Sequence, residues 1–167
     1  INRCIMEPTS VGFSLEPDPG SVNSFFLINT VMRWDSRLKG DGDGQFNRPS
    51  GIAFDADENI YLSDTLNHRI QKFTKDGKFI LKFGTLGDGE GELNMPWGVA
   101  VDELSDVYVA DWRNDRIQKF SAEGQFKMTL GKSGSEDGQL NRPTGVTVDK
   151  DGDIYVADCG NNRVQLY

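Results

Sequence analysis

One set of residues returns every 47 positions along this chain. Pro49, Pro96 and Pro143 keep that spacing, as do Gly51, Gly98 and Gly145; Asp55, Asp102 and Asp149; and Tyr61, Tyr108 and Tyr155. So do Asp64, Asp111 and Asp158; Asn67, Asn114 and Asn161; Arg69, Arg116 and Arg163; and Gln71, Gln118 and Gln165. Chance does not produce agreement at so many positions in one register. A period of this length marks a stack of supersecondary units, each covering its apolar faces by lying against its neighbours.

Within the first unit, Gly51 to Asp55 reads as a strand closed by the turn residues Ala56 to Asn59, and Ile60 to Asp64 reads as a second strand. Arg69 to Phe73 follows the loop Thr65 to His68 as a third, and Lys78 to Phe83 follows Lys75-Asp76-Gly77 as a fourth. Each unit is thus four antiparallel strands. The first two strands carry apolar residues consecutively rather than alternately, as in a sheet covered on both faces. The fourth, with Lys78 and Lys82, is more polar. Radially stacked β-propeller blades have this pattern, and four strands per unit favour a propeller over a solenoid of equal period. The 19 glycines fit an all-β chain with many tight turns.

The string Asn-Arg-Pro-x-Gly-Ile/Val, then Tyr-x-x-Asp, then Asn-x-Arg-Ile/Val-Gln resembles the NHL repeat over residues 44–167. The resemblance implies a blade fold, usually in six-bladed rings, and a recognition surface for proteins, RNA or glycans. Two units are complete, residues 44–90 and 91–137, whereas the third, 138–167, stops at the end of its third strand. Ahead of them, Val31-Met32-Arg33-Trp34 and the segment Gly40 to Gly44 resemble Ile80 to Phe83 and Gly87 to Gly91. Residues 31–43 are therefore expected to supply an orphan outer strand and its linker. About three blades result, half of a six-bladed ring, to be closed by a second copy or by the remainder of a longer chain. A first residue of Ile rather than Met fits a processed form or a fragment. Residues 1–30, with Val11 to Ser14, a turn at Glu16 to Gly20 and Phe25 to Ile28, suit either a divergent blade or a non-propeller arm.

Residues kept in every copy serve the copy itself. Asp64 with Arg69, Asp111 with Arg116 and Asp158 with Arg163 are expected to brace loops by charge-assisted hydrogen bonds. Function is sought where the frame is fixed and its contents differ. Those positions are Leu66 and His68 in one loop, Trp112, Arg113 and Asp115 in the next, and Cys159, Gly160 and Asn162 in the third. The connections between blades, carrying Arg48, Met95 with Trp97, and Arg142, belong on the same face, because alternate turns of an antiparallel sheet emerge together. Trp97 and Trp112 beside Arg113 have the composition of a binding hot spot; the alternative for either indole is packing between blades.

A formal charge of -8 gives no general attraction for phosphate backbones or anionic lipid, so nucleic acid is not the expected partner and a protein or glycan is. Cys4 and Cys159 suggest neither a disulfide framework nor a zinc site. The acidic runs Gly40 to Gly44 and Asp149 to Asp153 lack calcium-loop spacing and read as hairpin turns, so neither metal nor cofactor is expected. Lyases that resemble NHL propellers use a zinc site of several histidines, and here there is only His68. Neither a Gly-x-Ser-x-Gly elbow nor a phosphate-binding loop is present. The expected role is a non-catalytic interaction module. RNA binding, or a lyase or hydrolase completed by further blades, are the rivals. Nothing in the sequence indicates a compartment, and no apolar run is long enough to span a bilayer.

Overall fold

A computed structural model describes residues 39–167 together with one short hairpin, in which Leu27–Ile28 (β1) pairs antiparallel with Val31–Met32 (β2). The rest of the expected outer strand, Arg33 and Trp34, lies outside the described residues, as does all but Leu27–Ile28 of the arm or blade expected at 1–30.

Two four-stranded antiparallel sheets and one three-stranded sheet follow in chain order. Blade 1 is β3 (Pro49–Phe54), β4 (Ile60–Asp64), β5 (Arg69–Phe73) and β6 (Phe79–Phe83). Blade 2 is β7 (Pro96–Val101), β8 (Val107–Asp111), β9 (Arg116–Phe120) and β10 (Phe126–Leu130). Blade 3 is β11 (Pro143–Val148), β12 (Ile154–Asp158) and β13 (Arg163–Leu166), with no fourth strand among the described residues. Within each blade successive strands are neighbours, and β3 lies beside β7 and β7 beside β11. The first strands thus form the inner arc and the fourth strands the rim of a β-propeller.

Turn chemistry fixes each hairpin. Asp55 Oδ1 accepts the N–H groups of Asp57 and Asn59 at 3.1 and 2.8 Å, and Asp102 and Asp149 repeat the pattern. At the inner strands, glycine allows close approach. A Cβ on Gly51 would fall 2.3 Å from the carbonyl oxygen of Trp97, and one on Gly98 2.7 Å from that of Thr144.

Two apolar seams hold the blades together. Between blades 1 and 2, Tyr61, Ile70 and Phe83 meet Val99, Val107, Val109 and Phe120, with the rings of Phe83 and Phe120 4.8 Å apart. Between blades 2 and 3, Tyr108, Ala110 and Ile117 meet Val146, Ile154 and Val156. Each large side chain buried here contributes about 1.5 to 3 kcal/mol. Two lysines are held inside their own blades: Lys72 Nζ lies 3.4 Å from Asp55 and over the Tyr61 ring, and Lys119 repeats this 3.5 Å from Asp102 and over the Tyr108 ring, with Asp106 a further partner at 2.9 Å. The third copy has Leu166 at that position, 59% exposed.

The acidic run at Asp149 to Asp153 is a hairpin turn as expected, but Gly40 to Gly44 is not. It belongs to the link into blade 1, and its carbonyl groups are acceptors for Arg69.

Candidate functional site

The turns between second and third strands and the links between blades share one face of the arc. Each such turn is a short 3-10 segment, Thr65–Asn67, Trp112–Asn114 or Cys159–Asn161, followed by a left-handed residue. Those left-handed residues are His68, Asp115 and Asn162, and Arg48, Met95 and Arg142 in the links have the same conformation, with φ between 51° and 56°. For non-glycine residues this is costly, and it persists only where the surroundings over-determine it.

A repeated clasp supplies that constraint. Asp111, fully buried, accepts the Asn94 N–H at 2.7 Å on one oxygen; its other oxygen accepts Asn114 Nδ2 and Arg116 Nε, both at 2.8 Å, and Gln118 Nε2 at 3.2 Å. Arg116 then donates to the carbonyl groups of Asp88, Gly89 and Glu92 in the preceding link. Asp64 with Arg69 and Asp158 with Arg163 make the corresponding bonds. The three pairs expected from the repeat are therefore in contact. The arginines reach not only across the short turn but back into the link, locking the face from both sides.

A second set of bonds ties neighbouring blades. His68 Nδ1 accepts the N–H of Met95 at 3.1 Å, and Asp115 Oδ1 accepts that of Arg142 at 2.7 Å. Asn162 occupies the same position in blade 3, where its exposed side chain has no partner among the described residues. Thr65 Oγ1 donates to the Pro96 carbonyl at 2.8 Å and shares a 2.6 Å bond with Ser50 Oγ. Neither Ser50 nor Thr65 was singled out in the sequence, since their counterparts are Trp97 and Trp112, or Thr144 and Cys159.

Burial holds the His68 imidazole below its ordinary pKa, against an opposing pull from Asp111. Above the unfolded value, about 6.5, both states hold a neutral ring. As pH falls below it the unfolded chain takes up the proton first, so stability drops. Protonation also removes the Nδ1 acceptor from Met95. Acidification from about pH 7 to 5 is expected to lower the melting temperature of the native chain more than that of His68→Asn. Equal drops in thermal melts of the two would contradict this.

Four of the candidate face residues converge. Trp97 at the start of β7 lies 5.7 Å from Trp112, ring centroid to centroid, with the planes at 50°. Arg113 and Arg142 each place a guanidinium 5.4 Å from the Trp112 ring centroid, the first from the same turn and the second from the link into blade 3. Both arginines are exposed, and neither forms an ion pair among the described residues. Arg48 and Leu66 lie instead on blade 1, where with Lys39, Asn47 and Pro49 they line a cleft of about 600 Å³. His68, Asp115 and Asn162 belong to the inter-blade position. Cys159 is exposed and unbridged.

The opposite face has another character. Its turns carry Asp55, Asp57 and Glu58, then Asp102, Glu103 and Asp106, then Asp149, Asp151 and Asp153. Among the described residues no group of three or more histidine, cysteine or acidic residues is placed to hold a metal ion, and no helix is long and apolar enough to cross a membrane.

The family model for the SMP-30/Gluconolactonase/LRE-like region matches residues 20–130, and that for the NHL repeat matches residues 140–167. Protein brain tumor of Drosophila melanogaster is 52% identical over 42 residues, which is 25% of this chain and 4% of that protein. Protein lin-41 of Caenorhabditis elegans is 46% identical over 44 residues, 26% of this chain and 4% of its own length. The chain thus spans about 4% of those curated relatives. Among solved structures, a protein of unknown function from Bacteroides thetaiotaomicron aligns with a TM-score of 0.59 at 21% identity, covering 75% of this chain and 37% of that one. A streptogramin B lyase aligns with a TM-score of 0.55 at 16% identity, covering 71% and 40%. At such identities these two likenesses establish the fold alone.

Proposed function

Since the chain belongs to the NHL-repeat and SMP-30/gluconolactonase-like β-propellers, we propose that it is a non-catalytic interaction module whose contact surface is the face bearing Trp97, Trp112, Arg113 and Arg142. The observation that carries this reading is the Trp97–Trp112 pair with two guanidinium groups laid on it, partly exposed on a face whose backbone is locked from beneath. Rigid aromatic and arginine groups lose little entropy on contact and dominate protein interfaces. The catalytic alternative draws on the likeness to the SMP-30/gluconolactonase-like region and to a streptogramin B lyase, while the one histidine uses Nδ1 to accept the Met95 N–H.

Trp112→Ala is expected to weaken binding of a protein partner by about tenfold or more, corresponding to a hot-spot loss near 2 kcal/mol. The melting temperature should change little. A large fall in it would make Trp112 a packing residue instead.

The two ends of the arc support a ring of more blades than these. Tyr155 and Val164 of blade 3 are 36% and 70% exposed, where their counterparts Tyr108 and Ile117 are 3% and 0%. Ile52 and Phe54 of blade 1 are 51% and 57% exposed, where Val99 is 7%. We propose that further blades cover these surfaces, giving six in all, supplied by a second copy or by the remainder of a longer chain. The two-copy arrangement predicts a mass in solution of twice 18.6 kDa. A folded monomer in a sedimentation measurement would overturn that arrangement.

A further inference from the structure

We propose that the platform formed by Trp97 and Trp112 takes a carboxylate-bearing segment of a protein partner, with the guanidinium groups of Arg113 and Arg142 as the acid-binding forks. This rests on the reading of the face as a protein contact surface and adds the chemistry of what it holds.

The repeat divides its arginines into two kinds. Arg69, Arg116 and Arg163 are consumed by the clasp, each bonded to a buried aspartate and to link carbonyl groups. Arg113 and Arg142 have no carboxylate within the ion-pair distance among the described residues, yet they are not free to wander. The Arg113 N–H donates to the Asn94 carbonyl at 3.1 Å, and the Arg142 N–H donates to Asp115 Oδ1 at 2.7 Å. Each guanidinium rests on the Trp112 ring. A planar fork held on an aromatic surface is already oriented for bidentate pairing with a carboxylate, so less freedom is lost when one arrives.

Charge distribution points the same way. The formal charge of -8 is not spread evenly: the three hairpin turns of the opposite face alone hold nine carboxylates, while the inner part of this face presents Arg48, Arg113 and Arg142 with the Asp115 carboxylate beside them, and Asp88, Glu90, Glu92, Glu136 and Asp137 lie farther along the links. A short acidic segment touches only that inner part. A long polyanion would meet the field of the whole molecule.

Single-stranded RNA, the other anionic ligand of such a surface, is held chiefly by stacking bases on open aromatic faces. The Trp112 ring already carries two guanidinium groups and a tilted indole at 5.7 Å, leaving little open ring for a base.

Selection of displayed random peptides on the native chain, on Trp112→Ala and on Arg113→Gln/Arg142→Gln tests the assignment. Peptides kept by the native chain and lost on Trp112→Ala should be enriched in Asp and Glu. Their synthetic forms should bind Arg113→Gln/Arg142→Gln about tenfold or more weakly, and Glu→Gln versions of the peptides should lose affinity for the native chain by a similar factor. The double variant alters exposed side chains only, so it remains informative if Trp112→Ala loses its fold. Trp112-dependent peptides without acidic enrichment, or with unchanged affinity for the double variant, would overturn the carboxylate assignment and leave the contact face standing. Absence of any Trp112-dependent peptide, or Trp112-dependent capture of short random RNA in place of peptide, would overturn both.

Discussion

Asp111→Ala should lower the melting temperature by roughly 10 to 15 °C, from a loss of about 3 to 5 kcal/mol. The carboxylate is fully buried and is the shared acceptor for Asn94, Asn114, Arg116 and Gln118. Removing it strands a mostly buried guanidinium and a fully buried amide rather than subtracting one bond, and uncompensated buried donors are what make such deletions expensive. Asp111→Asn keeps the volume and one acceptor and should lose less. Thermal melts of both variants check this; a fall of only a degree or two for Asp111→Ala would reduce the clasp to a surface ion pair.

Gly51→Ala should be nearly as damaging, and Gly145→Ala nearly silent, although the two positions are equivalent in the repeat. A methyl on Gly51 would come within 2.3 Å of the Trp97 carbonyl oxygen and 3.1 Å of the Val99 nitrogen, both backbone atoms that cannot swing aside. Blades 1 and 2 would have to part along a seam packed to interior density, at a cost of about 1 to 3 kcal/mol or more. At Gly145 the nearest atom is the Ala157 Cβ at 3.4 Å, because no fourth blade lies against it among the described residues. Chemical denaturation of the two variants compares them directly. Equal losses would mean that the inner-strand glycines serve backbone conformation rather than the approach of neighbouring blades.

The period in the sequence made the blades legible because every copy solves the same packing problem. Ile60–Asp64 and Arg69–Phe73 have the bounds expected from it, whereas β3 starts earlier, at Pro49, where a register shift follows the proline. The clasp was legible as three Asp–Arg pairs but not in its full reach. The partners of Arg69 at Asp41, Gly42 and Gln45 are backbone carbonyl groups, and a carbonyl has no residue type to recognise. The ion-paired lysines had a visible signal in Lys72 and Lys119, blurred by Leu166 in the third copy.

The site was legible by composition and not by geometry. Trp97, Trp112 and Arg113 stood out as variable residues in a fixed frame, but that Arg142 rests on the same ring depends on a left-handed turn at φ 51° and on the bond from its N–H to Asp115. Neither is written in local propensity. Arg48 and Leu66, variable in the same way, lie together on blade 1 around their own cleft, so variability marked the face and the fold divided it.

The measurement closest to the central claim is a backbone amide NMR titration of the native chain with a peptide that depends on Trp112. The signals of residues 112–115 and of Arg142 should shift, while those of 56–58, 103–105 and 150–152 on the acidic face stay in place. Shifts confined to the acidic face would place the contact surface on the wrong side of the propeller.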